Sequence, residues 1–319
     1  MVEFIIYTLI MTAIFAIVAL SLNLQAGITG LSNFGQAIFF AIGAYTSALI
    51  TLNGLPFLLG LFLGMVLSAL FALLIALPTP GLRDDYWAIV SIAAAETLRL
   101  FINNERWLAE GPFGLRGIPR PLEALFGTGY NWFYLVLSLV CLAIVFIAFE
   151  LLIQSPFGRK LRAIRESEAM ITALGRSVFR YKIVTLMISG AVAGLAGSLY
   201  GPYLTFISPE HFAPVVTFMI WSMVIVGGSG NNLGVILGAF VITLFNLSTR
   251  FVKDWLLLPT DLLAALRTLS IGLLIVVFVL LRPQGLIPEK RRSLLRVTRE
   301  SLVTERKEKQ SHAGGGKRK

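Results

Sequence analysis

Few residues in this chain have the types and spacing that chemistry needs. Glu96 and Arg99 stand three apart, so on a helix they share a face. There they could form an ion pair or hold the opposite charges of a passing solute. The two histidines, His211 and His312, lie far apart without partners at metal-ligand spacing, and both read as loop residues. Cys141, the only cysteine, sits within an apolar run, which excludes an internal disulfide and a thiolate metal cluster. A phosphate-binding P-loop needs Lys followed by Ser or Thr. The eight lysines here are followed by Leu, Ile, Asp, Arg, Glu, Gln, Arg and the chain end. That ATP site is therefore absent, no cofactor or metal is expected in this chain, and no nucleophile–base constellation suggests an enzyme.

The elements that must position these residues are set by composition. Of 319 residues, 56% are hydrophobic and only 14% charged, against about 25% charged in a soluble domain. Mean hydropathy is +0.81. From Phe4 to Leu82 there is no Asp, Glu, Lys or Arg, and from Ile183 to Thr249 the only one is Glu210. A membrane span takes roughly 20 apolar residues, so each tract must cross a bilayer several times. The net charge of +10 does not point to nucleic acid, because of where it lies. Twelve of the 27 basic residues fall from Arg282 onward and seven between Arg159 and Lys182, beside apolar runs. That placement follows the positive-inside rule. Met1 to Glu3 offers no basic n-region, so no cleavable signal is expected.

Apolar runs and breakers give an all-α polytopic bundle of about nine spans, within a range of eight to ten. They lie near Phe4–Leu24, Gln36–Leu52, Phe57–Leu77, Tyr86–Ile102, Tyr130–Ile153, Ile183–Phe206, Val215–Val226, Gly234–Thr249 and Leu262–Leu281. Pro56, the Pro78–Gly81 stretch, Pro209 and glycine clusters at 27–30 and 227–230 interrupt the helix ladder. Placing both basic stretches in the cytoplasm puts the long loop Asn103–Gly129 and the N-terminus outside. The stretch Gln25–Gly35 reads as a turn or as a re-entrant segment. Three G-x-x-x-G pairs, Gly60/Gly64, Gly190/Gly194 and Gly234/Gly238, predict close helix packing. The basic tail beyond Arg291 reads as a solvated or headgroup-facing extension without a fold of its own.

Between two spans lies the basic stretch SPFGRKLRAIRESEAMITALGRSVFRYK. Leu161, Ile164, Glu168, Ile171 and Leu174 recur at three- and four-residue steps, which predicts one short amphipathic helix closed by Gly175. A docking surface for another chain and a lipid-surface helix both require that pattern. Inside the spans, Glu96 and Arg99 would each cost roughly 2.5–3.5 kcal/mol at a helix centre, a cost that pairing offsets. They read either as an ion pair near the outer end of their span or as charges along a solute path. Asn23, Gln36, Tyr45 and Asn246 are further path candidates, each also able simply to bridge helices.

The basic loop resembles the coupling loop of ABC importer permeases, patterned as Glu-Ala-Ala, three residues, then Gly. Here it reads Glu168-Ala169-Met170, with Gly175 one position late and Met170 in place of the second Ala. Six more segments resemble the branched-chain amino acid permease family, specifically its LivM-type subunit: Ala19–Ile50, Tyr86–Leu100, Gly111–Pro119, Ser155–Glu166, Val226–Ala239 and Leu281–Pro288. They occur in family order across nearly the whole apolar chain. The family usually has His where Gln36 stands, so no imidazole role carries over.

The resemblance implies a permease domain over 1–288, with coupling loop 154–182, and a basic, disordered cytoplasmic tail over 289–319. It implies a multi-pass protein of the bacterial inner membrane beside a companion permease and two ATPase subunits carrying ATP and Mg. A periplasmic binding protein would deliver branched-chain amino acids. Arg162, Arg165, Glu168, Ala169, Leu174 and Gly175 would then serve the ATPase-coupling loop. A sister importer for urea, short amides or other small polar solutes shares the construction. An ion-coupled secondary transporter, with Glu96 as proton relay, is the reading from a different class.

Overall fold

The computed structural model describes residues 2–78, 84–256, 260–282 and 284–289. Each of the nine apolar runs is a helix. They are α1 (Val2–Leu22), α2 (Gln36–Leu52), α3 (Phe57–Ala76), α4 (Asp84–Asn104), α7 (Tyr130–Gln154), α10 (Val178–Leu204), α11 (Pro214–Gly227), α12 (Asn232–Leu256) and α13 (Thr260–Leu281). The short helices are α5 (Arg106–Ala109), α6 (Glu123–Phe126), α8 (Pro156–Glu166) and α9 (Glu168–Ala173). Five stretches among the described residues are long and apolar enough to cross a membrane: Val2–Thr29, Phe57–Ala76, Tyr130–Gln154, Val178–Leu204 and Pro209–Gly227. Gln36–Leu52 and Asn232–Ser248 are shorter apolar helices. The bundle occupies the unit Met1–Pro288. The expected tail over 289–319 lies, Glu289 apart, outside the described residues, as does most of the Pro78–Gly81 breaker.

Helix α1 is the central element. It packs against α7, α10, α11 and α12, and from Ile10 to Leu24 almost every side chain is buried. A helix apolar all round is stable only when surrounded. The outer faces of α3 and α7 do the opposite. Leu58, Phe62 and Leu74 on α3, with Val136, Ile144 and Leu151 on α7, remain exposed. Apolar surface on that scale belongs against lipid or another membrane chain.

The G-x-x-x-G pairs do pack helices. A Cβ at Gly194 would stand 2.6 Å from the Gly64 carbonyl oxygen, and one at Gly190 3.0 Å from that of Ser68. Gly234 and Gly238 bring α12 against the backbone of α11 at Gly227 and Met223. Serine hydroxyls bind α2 to both helices of the first seam: Ser68 Oγ on α3 donates to the Phe39 carbonyl at 2.9 Å and Ser198 Oγ on α10 to that of Gly43 at 3.1 Å.

The stretch Gln25–Gly35 is not a simple turn. Residues Asn23–Thr29 prolong α1 as a π-helix, ended by Gly30 at φ 81°. The Thr29 hydroxyl donates to the Leu24 carbonyl, five residues back, at 2.9 Å. Beyond it the irregular segment to Gly35 is largely buried in protein, the condition under which such backbone survives at membrane depth.

Two further expectations change. The all-α expectation gains a small exception, because the loop Asn103–Gly129 contributes a strand. Strand β1 (Leu115–Arg116) pairs antiparallel with β2 (Phe206–Ile207), with Leu115 opposite Ile207. The amphipathic stretch forms two helices, not one. Ser167 takes an extended conformation (φ −162°, ψ 103°), and its Oγ accepts from the Met170 N–H at 3.3 Å, starting α9. Serine caps more readily than it continues a helix, so the ladder breaks there.

Candidate functional site

Helices α8 and α9 join the end of α7 to the start of α10. Ser155 caps α8, and Leu161 and Ile164 bury its apolar face. Arg165, beside Ile164, is partly buried as well. Its Nη1 donates to the Gly27 carbonyl inside the π-helical turn. Its Cα would be only 3.4 Å from a Cβ at Gly30. The short helix is thus hooked to the one segment of α1 whose helical geometry is altered.

On α9 the pattern Glu168–Gly175 is resolved residue by residue. Glu168, in the first turn, pairs with Lys182 on α10. Gly175, at φ 72°, donates to the Thr172 carbonyl at 2.9 Å, while Arg176 donates to that of Ile171 at 3.2 Å. That pair of bonds is a Schellman ending, so the predicted C-cap holds. Ile171 is buried, but Leu174 is 70% and Met170 64% exposed, and Ala169 is exposed beside them. Leu174 therefore does not share the buried face of Leu161, because the break at Ser167 turns α9 away from α8. Arg162 is partly buried, its Nε without a hydrogen-bond partner among the described residues.

The path candidates do not gather in one place. Gln36 opens α2 within a closed polar network. Its Nε2 donates to Ser21 Oγ at 2.6 Å, and its Oε1 accepts from Gln25 Nε2 at 3.0 Å and Asn33 Nδ2 at 3.3 Å. Gln25 also donates to Ser189 Oγ at 2.6 Å and accepts from Asn33 at 2.8 Å. Asn23 belongs to a second chain: it donates to Asn232 Oδ1 at 2.9 Å, and Asn232 donates to Glu150 Oε1 at 3.0 Å. Both sets surround the π-turn.

The other candidates lie toward the opposite end of α1. Glu96 and Arg99 form the expected pair, two-pronged at 2.6 and 2.9 Å, and Arg99 reaches on to Glu210 at 2.9 Å. Glu96 is thus a paired carboxylate, poorly suited to a lone proton relay. Tyr45 packs its ring 5.7 Å from that of Phe212, and its buried hydroxyl has no hydrogen-bond partner among the described residues. Asn246 lines a cavity of about 290 Å³ between α1, α10, α11, α12 and the turn Pro209–Phe212, with Glu210, His211 and Thr243. His211 thus sits in a turn as expected, though partly buried.

Sequence reasoning did not single out Gln25, Asn33 or Ser189 beside Gln36, nor the Arg99–Glu210 contact. Glu210 had one visible signal, as the only charge between Ile183 and Thr249. The others are ordinary polar residues whose partners lie up to 164 positions away. Among the described residues no three His, Cys, Asp or Glu side chains are grouped to hold a metal.

A helical bundle with lipid-facing flanks, a buried broken helix and an interhelical cavity defines a multi-pass membrane protein. Residues 4–280 match the family model described as "Branched-chain amino acid transport system / permease component", and the chain belongs to that family. It is 33% identical to the high-affinity branched-chain amino acid transport system permease protein LivM of Salmonella typhimurium, over 89% of this chain and 70% of the relative. The Escherichia coli LivM is 32% identical with the same coverage. A probable LivM of Methanocaldococcus jannaschii is 31% identical over 87% of this chain and 91% of its own. No solved structure matches the chain significantly.

Proposed function

We propose that this chain is the inner-membrane permease subunit of an ATP-binding cassette importer for branched-chain amino acids. Family membership and the LivM relatives support the class and the substrate. The observation that carries the mechanism is the hook from α8 onto the π-turn, Arg165 to the Gly27 carbonyl. ATP and Mg belong to two partner ATPase subunits, which dock on the exposed apolar side of α9 formed by Ala169, Met170 and Leu174. Beside it, a hollow of about 330 Å³ is lined by Lys160, Ile171, Leu174, Arg176 and Tyr181. The two cations at that hollow suit an acidic partner surface. Closure of the ATPases pulls α8–α9, and Arg165 conveys the pull to α1. A nucleotide can shift the bundle only if it binds one state better than the other.

In this reading nine helices span the membrane, the loop 154–182 faces the cytoplasm, and the N-terminus faces outward. A companion permease completes the pathway, and a periplasmic binding protein delivers the solute. The test is uptake of labelled leucine into cells with and without the chain, with the proton gradient collapsed in one arm and ATP depleted in another. Chain-dependent uptake that survives the uncoupler and stops without ATP is expected. Uptake that dies with the gradient while ATP persists would overturn the reading in favour of an ion-coupled carrier.

A further inference from the structure

The cavity at the far end of α1 has a build that neither helix packing nor the coupling loop explains. The cavity meets α1 at Tyr7, Met11 and Phe15, and Gly27 meets α8, so even its nearest wall is about 18 Å from that contact along α1 at the helical rise. Between them Ile17, Val18 and Leu20 are wholly buried. The cavity therefore belongs to the side away from the coupling helices.

Its walls divide by chemistry. Met11, Phe15, Val216, Met219 and Leu247 present apolar surface. Thr243 and Asn246, three apart on α12, and His211 from the turn add polar groups. Thr243 is 3% exposed, yet its hydroxyl has no hydrogen-bond partner among the described residues. The same holds for His211 Nδ1. Buried polar atoms are nearly always paired, and both orphans belong to residues that line this cavity, so a small shift of either side chain would bring a further donor or acceptor to its wall. Asn246 Nδ2 donates to the Met219 thioether at 3.1 Å, a weak acceptor that a better one would displace. At about 290 Å³ the space lies at the lower edge of small-molecule sites, which begin at roughly 300 Å³, and suits a solute of amino-acid size.

The geometry points to this cavity as a solute-holding site within the single chain, for a small zwitterion with an aliphatic side chain. The side chain lies against Met11, Met219 and Leu247. The carboxylate is met by Thr243 and Asn246, and the ammonium faces His211 and the carboxylate of Glu210, which Arg99 also pairs at 2.9 Å. The substrate class rests on the proposed function; the existence of the site does not.

The experiment uses the assembled transporter with its partner subunits, in a Cys141→Ser background. Thr243→Cys is exposed to a small charged thiol reagent from the outer side, with and without leucine. Leucine at about four times its half-saturating level should slow labelling about fivefold by mass action, while glutamate should not. Labelling indifferent to leucine, isoleucine and valine would overturn the site, as would a thiol the reagent never reaches. Met219→Trp, which fills the cavity, should abolish uptake while assembly with the ATPases persists. Wild-type uptake by that variant would equally overturn the site. Leucine uptake by the unsubstituted chain reads the proposed function separately, so the two can fail independently.

Discussion

Arg165 illustrates how far a residue's role can be read from type and position. The sequence places it on an amphipathic basic stretch, among residues facing a partner. In the structure its guanidinium turns inward to the Gly27 carbonyl. Nothing in the sequence links positions 138 residues apart, and the acceptor is a backbone atom that any residue would supply. If this contact conveys motion, Arg165→Ala should leave ATPase binding and basal hydrolysis intact. A hydrogen bond to a charged group contributes about 1.5–3 kcal/mol, so solute moved per ATP hydrolysed should fall about tenfold or more. Arg165→Lys should recover part of it. Hydrolysis and transport falling in step would show that the contact only holds the fold. Gln36 teaches the same lesson from the other side. A buried amide is legible as important, but whether it faces solute or protein depends on partners; here Gln25, Asn33 and Ser21 satisfy it.

At the scale of elements, the nine apolar runs appear as helices because prolines and glycines interrupt the ladder physically. Most ends agree closely, while α10 starts before its run at Val178 and α12 runs on past its own to Leu256. Gln36–Leu52 agrees at both ends. The coupling stretch was legible as amphipathic but not as two helices, since periodicity continues through Ser167 while a capping hydroxyl stops the backbone there. The break lets α9 be steered separately by Glu168, which ties its first turn to Lys182. Glu168→Lys removes that pair, places like charges together and opposes the helix dipole, about 1 kcal/mol in so exposed a place. The chain should insert normally, while ATPase association and transport fall. A normally inserted Glu168→Lys variant with wild-type association and transport would show that α9 is not the docking element.

At the scale of the whole molecule, composition made the membrane environment plain, but helix order around α1 was not legible. Packing against α7, α10, α11 and α12 depends on glycine and serine seams between distant segments, and those seams look alike in sequence. The proposed sidedness is tested at the same scale. In a Cys141→Ser background, Met170→Cys should react with an impermeant thiol reagent only from the cytoplasmic face. Trp107→Cys, exposed on α5, should react only from outside. Labelling of both from one face would invert or break the proposed nine-span topology.

The small sheet carries a consequence for biogenesis. Leu115 finds Ile207 only after α6, α7, α8, α9 and α10 have been synthesised, because all five lie between the partners. Until the ribosome has delivered α10, the segment around Gly111–Pro119 has no strand to meet, and a nascent chain stopped earlier exposes it to any protease on that side. The β1–β2 ladder is therefore a late event in maturation, a clasp that closes over the first half of the chain once the second has arrived.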